Sequence, residues 1–357
     1  MRVKSLVSAI NFILGGRKPL SGPIKVHWDL EYRCNSRCLN CVRWKLDAPS
    51  DQLDTDTALK LISEIAALGT DTLSFAGNEP MLREDIFILI ERAKKEGLKV
   101  SLNTNGLSLC EERIKKLAAL GTDMIYFSLD GPNAEIHDRI RGVPGGFERI
   151  ISAKNVLRRF SGKISIMANT VANRINIPYL YDTVKIVKEE GFDGIMIQPV
   201  HEVKEFFQTE GGTSVREEDI PAMKEQIERI LKEYGEMIPL PPTYLKEFGT
   251  FYRSPSELYK YRCTAGYMTM DIRQNGEIVP CPVGFDTAGI YKPGNMKGLW
   301  YGAEFNRIRK NIKNRNHPVC WFACIIPINI MFYRIRRFSF GEVFSGNLFK
   351  HILKKLR

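Results

Sequence analysis

Residues 31–44 read EYRCNSRCLNCVRW, which sets Cys34, Cys38 and Cys41 at the spacing C-x3-C-x2-C. They directly follow Val26, Trp28 and Leu30, whose apolar-polar alternation reads as a strand. Soft thiolates select iron–sulfur clusters or zinc. Three of them at this spacing can each hold one corner of a cubane. A four-iron cluster ordinarily takes four cysteines, so a triad leaves the fourth iron free for a substrate or a cofactor. The bland alternative is a zinc knuckle short of one ligand, or a fourth ligand brought from elsewhere in the chain.

Outward from the triad, residues 25 to about 200 alternate strands and helices. Strands are predicted at Val26–Tyr32, Thr72–Ala76, Lys99–Thr104, Met124–Leu129, Ile164–Val171 and Gly194–Pro199. Helical patterns lie between them at Thr55–Leu68, Arg83–Glu96, Glu112–Leu120, Phe147–Phe160 and Ile177–Glu190. Gly69, Gly97, Gly121 and Gly191 close helices as left-handed stops. Such alternation implies an α/β protein with a parallel sheet and right-handed crossovers. Six units are too few for a closed eight-fold barrel. A helix at Glu217–Tyr234 and a Pro-rich turn (Pro239, Pro241, Pro242) follow. Strands Tyr267–Arg273 and Glu277–Cys281 then flank Asn275-Gly276, a hairpin signal. A further helix is predicted at Ala303–Asn311.

The triad resembles that of the radical S-adenosylmethionine (radical SAM) superfamily, in which the open iron chelates the amino and carboxylate groups of the cofactor's methionine. One position departs from that family: Asn40 stands where an aromatic residue usually precedes the third cysteine. Gly77, Asn78, Glu79 and Pro80, after the second strand, resemble the family's Gly-Gly-Glu-Pro motif with Asn78 in place of the second glycine. The resemblance implies cofactor contacts at later strand ends too: Asn103 and Asn105, Ser128 and Asp130, Thr170, and Gln198. Hydroxyls, amides and carboxylates suit ribose hydroxyls. Arg141 is expected to fork onto a carboxylate. The implied fold is a partial (β/α)6 barrel with a small C-terminal β-hairpin-plus-helix auxiliary cluster domain.

Cys263, Gly276 and Cys281 resemble the opening of the SPASM or twitch extension found after such cores. With Cys320 and Cys324 they make four thiolates, enough for one fully ligated auxiliary cubane. Four thiolates also suit tetrahedral zinc. Cys110, at a helix start, has no sequence partner and reads as structural.

Eight cysteines in 357 residues are too sparse for a disulfide scaffold, and their clustering points to metal binding in a reducing compartment. No secretory signal is evident, and no stretch approaches the roughly 20 apolar residues of a membrane span. The expected location is the cytoplasm, free or at the membrane face. The net charge of +11 belongs to the two ends. Val3, Leu6, Val7, Ile10, Ile13 and Leu14 share one helical face, and phenylalanines and leucines interleave with cations in 338–357. Apolar faces bordered by cations suit anionic lipid; packing of both ends on the barrel is the plain alternative. No recognition fold suggests nucleic acid. The expected organisation is a basic amphipathic segment 1–24, a barrel 25–235, an auxiliary domain 236–324 and a basic apolar tail 325–357.

The resemblance implies an enzyme that cleaves S-adenosylmethionine reductively and takes hydrogen from an unactivated C–H bond, with ferredoxin or flavodoxin as electron donor. The basic ends favour a lipid or membrane-associated substrate; modification of a peptide is the alternative. An electron carrier with two clusters and a zinc-stabilised interaction module are the non-enzymatic competitors.

Overall fold

The computed structural model describes residues 3–16, 18–47, 49–202 and 212–337. Six strands run parallel in chain order: β1 (Lys25–Glu31), β2 (Thr72–Gly77), β3 (Lys99–Thr104), β4 (Met124–Ser128), β5 (Ser165–Ala172) and β6 (Gly194–Pro199). Every one was predicted to within one or two residues. A helix N-terminal to the sheet, α1 (Val3–Ile13), precedes them. The crossovers are α2 (Thr55–Ala67), α3 (Ile86–Lys95), α4 (Glu111–Ala119), α5 (Ala134–Arg141), α6 (Gly146–Phe160) and α7 (Leu180–Glu189).

The strands divide their residues by parity. Val26, Trp28 and Leu30 of β1 join Leu73, Phe75, Val100, Leu102, Ile125 and Phe127 in a core under the helices. Lys25, His27 and Asp29, at the alternate positions, face a cavity on the other side of the sheet. Asp54 starts α2 by accepting a hydrogen bond from Thr57 N. α3 begins at Ile86 rather than Arg83, because Pro80–Leu82 forms a 3-10 turn and Arg83 is extended. α5, which the sequence pattern did not predict, is capped by Asn133 and stopped by Gly142.

Past β6 come α8 (Ile220–Glu233), α9 (Pro242–Lys246) and α10 (Phe248–Arg253). The predicted hairpin is present as β7 (Thr269–Ile272) and β8 (Glu277–Val279), followed by β9 (Gly289–Ile290). β7 pairs in parallel with β1, His27 opposite Asp271, so all nine strands form one sheet in the order β6-β5-β4-β3-β2-β1-β7-β8-β9. α11 (Met296–Tyr301), α12 (Ala303–Lys313) and α13 (Ile326–Arg336) complete the described chain.

The N-terminal segment packs on the protein, though not by its predicted face. Ala9 and Phe12 of α1 are buried against Tyr267, Met268 and Phe332, while Leu6, Val7, Ile10 and Leu14 are exposed. The interleaved tail 338–357 lies outside the described residues. No described helix is long and apolar enough to cross a membrane.

Candidate active site

A cavity of about 390 Å³ opens at the carboxyl ends of the parallel strands. Cys34, Cys38 and Cys41 line it together, close enough to repel one another as thiolates. Their loop has neither helix nor strand, and the structure fixes it from two sides. Arg37 N and Leu39 N donate to Arg141 O at 3.0 Å and Ile140 O at 2.9 Å, splicing the loop onto the end of α5. Gly142 permits this approach: a Cβ there would meet Arg37 O at 2.5 Å. On the other side, Asn105 Nδ2 donates to Asn35 Oδ1 at 2.7 Å and Ser36 Oγ at 3.0 Å, with Cys34 Sγ at 3.9 Å.

Burial pushes the Cys34 thiol up to about 11. It raises Cys38 as well, against the pull of Arg141, whose Nη1 lies 3.7 Å from Cys38 Sγ. Thiols this reluctant to ionise need a cationic centre to become ligands, which a metal cluster provides. No three His, Cys, Asp or Glu side chains among the described residues gather tightly enough for one metal ion. A single zinc draws its ligands around one centre, whereas a cubane takes each thiolate on a separate iron.

Of the predicted cofactor residues, Gly77, Asn78, Asn103, Asn105, Ser128, Arg141 and Gln198 line this cavity. Asn78 donates to Tyr32 O, and its Oδ1 is buried with no hydrogen-bond partner in the structure. That orphaned acceptor suits a cationic or N–H-bearing ligand. Gly77 adopts φ +82°, and a Cβ there would lie 2.7 Å from Asp29 Cα, so the β1–β2 approach requires glycine.

Glu79, Pro80, Asp130 and Thr170 stand behind the cavity wall. Glu79 accepts from Asn105 N at 2.7 Å, Thr104 Oγ1 at 2.8 Å and Met81 N at 3.0 Å, while burial raises its pKa. Through these bonds it holds Asn105, which in turn contacts Cys34. Pro80 opens the 3-10 turn after it. Thr170 Oγ1 donates to Leu129 O at 2.5 Å. Asp130 lies 2.7 Å from Arg141 Nε and accepts from Val171 N at 2.8 Å. The carboxylate that Arg141 was expected to meet is thus the chain's own.

Sequence reasoning missed the inner face of the strands. His27 Nδ1 and Asp271 Oδ1 lie 3.4 Å apart, both side chains largely buried, with Lys25 on the same wall. Burial lowers the pKa of Lys25, opposed by Cys324 and Asp271. Burial would raise the pKa of Asp29, but Arg43 at 2.8 Å and Arg273 at 3.1 Å hold it below the usual range. The signal was available as the polar parity of Lys25, His27 and Asp29. Trp44 also lines the cavity and donates from Nε1 to Cys38 O at 3.3 Å, with Arg37 5.0 Å from its ring centre. Asn40 lines it too, so Trp44 offers the aromatic face that position 40 lacks.

The second thiol set also converges. Cys263, Cys281, Cys320 and Cys324 come near enough to repel one another as thiolates. Burial raises all four, Cys263 to about 11 and Cys324 to about 12. Their loops are tied by Thr264, whose N and Oγ1 donate to Asn329 Oδ1 of α13 at 3.0 and 2.7 Å. Trp321 N donates to His201 Nε2 at 2.8 Å, and Trp321 Nε1 to Tyr244 O at 2.8 Å. Cys324 lines the same cavity as the triad. Cys110 stands at the N-cap position of α4 without a side-chain cap bond and is exposed, so it has no place in the core.

Residues 31–185 match the Radical SAM superfamily. Over that stretch the chain is similar to radical SAM proteins. The AdoMet-dependent heme synthase of Methanosarcina barkeri is 36% identical over 48% of this chain and 49% of its own length. A heme synthase of Oleidesulfovibrio alaskensis is 32% identical over 46% of this chain and 42% of its own. The chain thus spans about half the length of these curated relatives. The PqqA peptide cyclase of Ruegeria pomeroyi is 28% identical, but over 83% of this chain and 79% of its own length. Streptococcus suis SuiB, in its S-adenosylmethionine-bound crystal structure, shares the fold at 17% identity with a TM-score of 0.63, over 81% of this chain and 68% of that one. The fold is α/β, and the SuiB crystal structure that shares it is bound to S-adenosylmethionine.

Proposed function

We propose that Cys34, Cys38 and Cys41 carry a [4Fe–4S] cluster for S-adenosylmethionine, that the Cys263–Cys281–Cys320–Cys324 set carries an auxiliary cluster, and that the substrate is a peptide. The observation that carries the first part is the convergence of three buried or half-buried thiols on one strand-end cavity with an orphaned acceptor, Asn78 Oδ1, beside them. When bound, the reduced cluster and S-adenosylmethionine supply a 5′-deoxyadenosyl radical that removes a hydrogen atom from a substrate C–H bond. Asn105 and the α5 splice hold the triad loop in place. Arg141, pinned by Asp130, sets a positive charge beside Cys38. Trp44 and Asn103 offer a ring face and an amide to the nucleoside, and Asn78 an acceptor to the ammonium. Lys25, His27 and Asp271 present hydrogen-bonding groups to the substrate on the side where Cys324 enters the cavity.

The peptide assignment rests on coverage. The peptide cyclase aligns with both the barrel and the auxiliary region, whereas the heme synthases align over about half of the chain. The test uses reduced, reconstituted enzyme with S-adenosylmethionine and deuterated cell fractions. Deuterium should enter 5′-deoxyadenosine from the peptide fraction; entry only from the lipid or tetrapyrrole fraction would replace the assignment. The exposed Leu6, Val7, Ile10 and Leu14 of α1 favour a second reading, a lipid or membrane-associated substrate. It requires the protein to sediment with anionic vesicles and to lose this when residues 1–16 are removed.

A further inference from the structure

A second cavity, of about 340 Å³, opens between α1 and α12. Asn306, Arg309, Lys310 and Lys313 stand at i, i+3, i+4 and i+7 of α12, one helical face, and all four line it. Arg262 and Lys18 line it from other segments, and no carboxylate does. Arg309 is buried, yet its guanidinium meets only neutral oxygens: Gly266 O at 2.6 Å, Trp300 O at 2.7 Å and Asn306 Oδ1 at 2.9 Å. Burial lowers its pKa to about 9. Arg262 likewise donates to Phe12 O at 3.0 Å and Gly16 O at 3.2 Å. Lys18, Lys310 and Lys313 are exposed. The one acid of α12, Glu304, is engaged by Arg307 at 2.9 Å.

The helix dipole accounts for part of this, since it favours cations in a last turn, where Lys310 and Lys313 lie. It does not account for a buried Arg309, nor for Arg262 and Lys18. A buried cation that faces no counter-charge is costly to hold, and a concave cluster of one sign focuses its field on an incoming anion. Arginine forks match phosphate oxygens two at a time. Phe12, Ala265 and Ile312 supply apolar wall between the cations. The volume falls within the range of about 300–1,000 Å³ found for small-molecule sites. An organic anion carrying more than one charge answers all of these features; a lone carboxylate leaves most of the cations unmatched.

We propose that the recess binds a phosphate monoester, with the phosphate among Arg262, Arg309 and the three lysines and the organic part against Phe12 and Ile312. Such a group carries close to two negative charges at pH 7. No described residue lines both this recess and the reaction cavity, so the site is separate from the thiol triad. A phosphate monoester has two sources, a free small ester and the headgroup of a phosphatidate bilayer. α1 walls the recess through Phe12 while exposing Leu6, Val7, Ile10 and Leu14, so the bilayer source has an apolar face to meet it.

The test uses the full chain, reconstituted without oxygen, and two probes that share one monoester. Calorimetry follows glycerol 3-phosphate, and sedimentation follows vesicles of phosphatidic acid in phosphatidylcholine. Lys310→Gln/Lys313→Gln removes two exposed cations of the recess. Lys224→Gln/Lys232→Gln removes the same charge from exposed positions of α8, which do not line it. One of the probes should bind the wild type saturably. The recess variant should bind that probe about tenfold more weakly, the α8 variant should match the wild type, and acetate should not compete. Calorimetric binding without vesicle sedimentation assigns the site to a free ester. Sedimentation that needs phosphatidic acid, and that the recess variant alone loses, assigns it to the headgroup. The proposal is overturned if neither probe binds, if the recess variant binds as well as the wild type, if the α8 variant weakens equally, or if acetate competes as well as the monoester. None of these readouts uses cleavage of S-adenosylmethionine, so failure of the proposed activity would show separately.

Discussion

The two thiol sets differ in what surrounds them. The triad sits in a loop held by polar side chains, with Arg141 beside Cys38 and Asn105 behind Cys34. The four later cysteines are gathered by buried aromatic and amide anchors, Trp321 and Asn329, with Lys25 near Cys324. On the proposed reading, three thiols beside an orphaned acceptor make a centre that meets a ligand, and four thiols in a tied pocket make a fully ligated one, both within one continuous sheet.

The largest expected effect separates the sets by function. Cys38→Ala should lower dithionite-driven 5′-deoxyadenosine to background, while Cys281→Ala should leave uncoupled cleavage measurable. Equal loss in both would erase the distinction. Next comes Arg141→Met, which strands Asp130 as a buried carboxylate without its cation. Chemical denaturation should show about 3–5 kcal/mol of lost stability; a change under 1 kcal/mol would mean that the pair holds nothing in place. A smaller effect sharpens the other side. Trp321→Phe removes the donor to Tyr244 O and should lower stability by about 1–3 kcal/mol. Iron content should fall towards the complement of one cluster, with the cleavage activity kept. Loss of the triad's iron instead would show that the two loops are not independently held.

The pH dependence gives the mildest contrast, because it touches both regions. Burial lowers His137, behind the triad, and His201, under Trp321, each from 6.5 to about 3. Unfolded, they take up protons near 6.5; folded, they do not. Their stabilisation is therefore complete above pH 6.5 and is lost as the pH falls from there towards 3. Each contributes a slope of about 1.4 kcal/mol per pH unit over that window. Melting in His137→Gln and His201→Gln should show a shallower acid limb. An unchanged limb in both would mean that other groups set it.

The six strands were legible because each pairs an apolar parity with a glycine or polar stop, signals confined to a few residues. The triad was legible for the same reason: its spacing is local. α5 was not, since its eight residues offer little periodicity and the run His137–Gly142 reads equally well as a polar loop. The pairing of β7 with β1 was beyond local pattern, because it joins residues over 240 positions apart. Without it, nothing in the chain places Asp271 opposite His27 or brings Cys324 to the triad's cavity. The face that α1 buries was misjudged because Phe12 and Ala9 found a partner in Tyr267 and Phe332, while the more numerous aliphatic residues did not.

The most direct measurement of the central claim is the electron paramagnetic resonance spectrum of the reduced Cys281→Ala protein, recorded with and without S-adenosylmethionine. An iron left open by Cys34, Cys38 and Cys41 predicts a [4Fe–4S]⁺ signal whose g-values shift when the cofactor is added. A cluster signal that the cofactor leaves unchanged, or a protein in which the triad holds no cluster, would contradict the account.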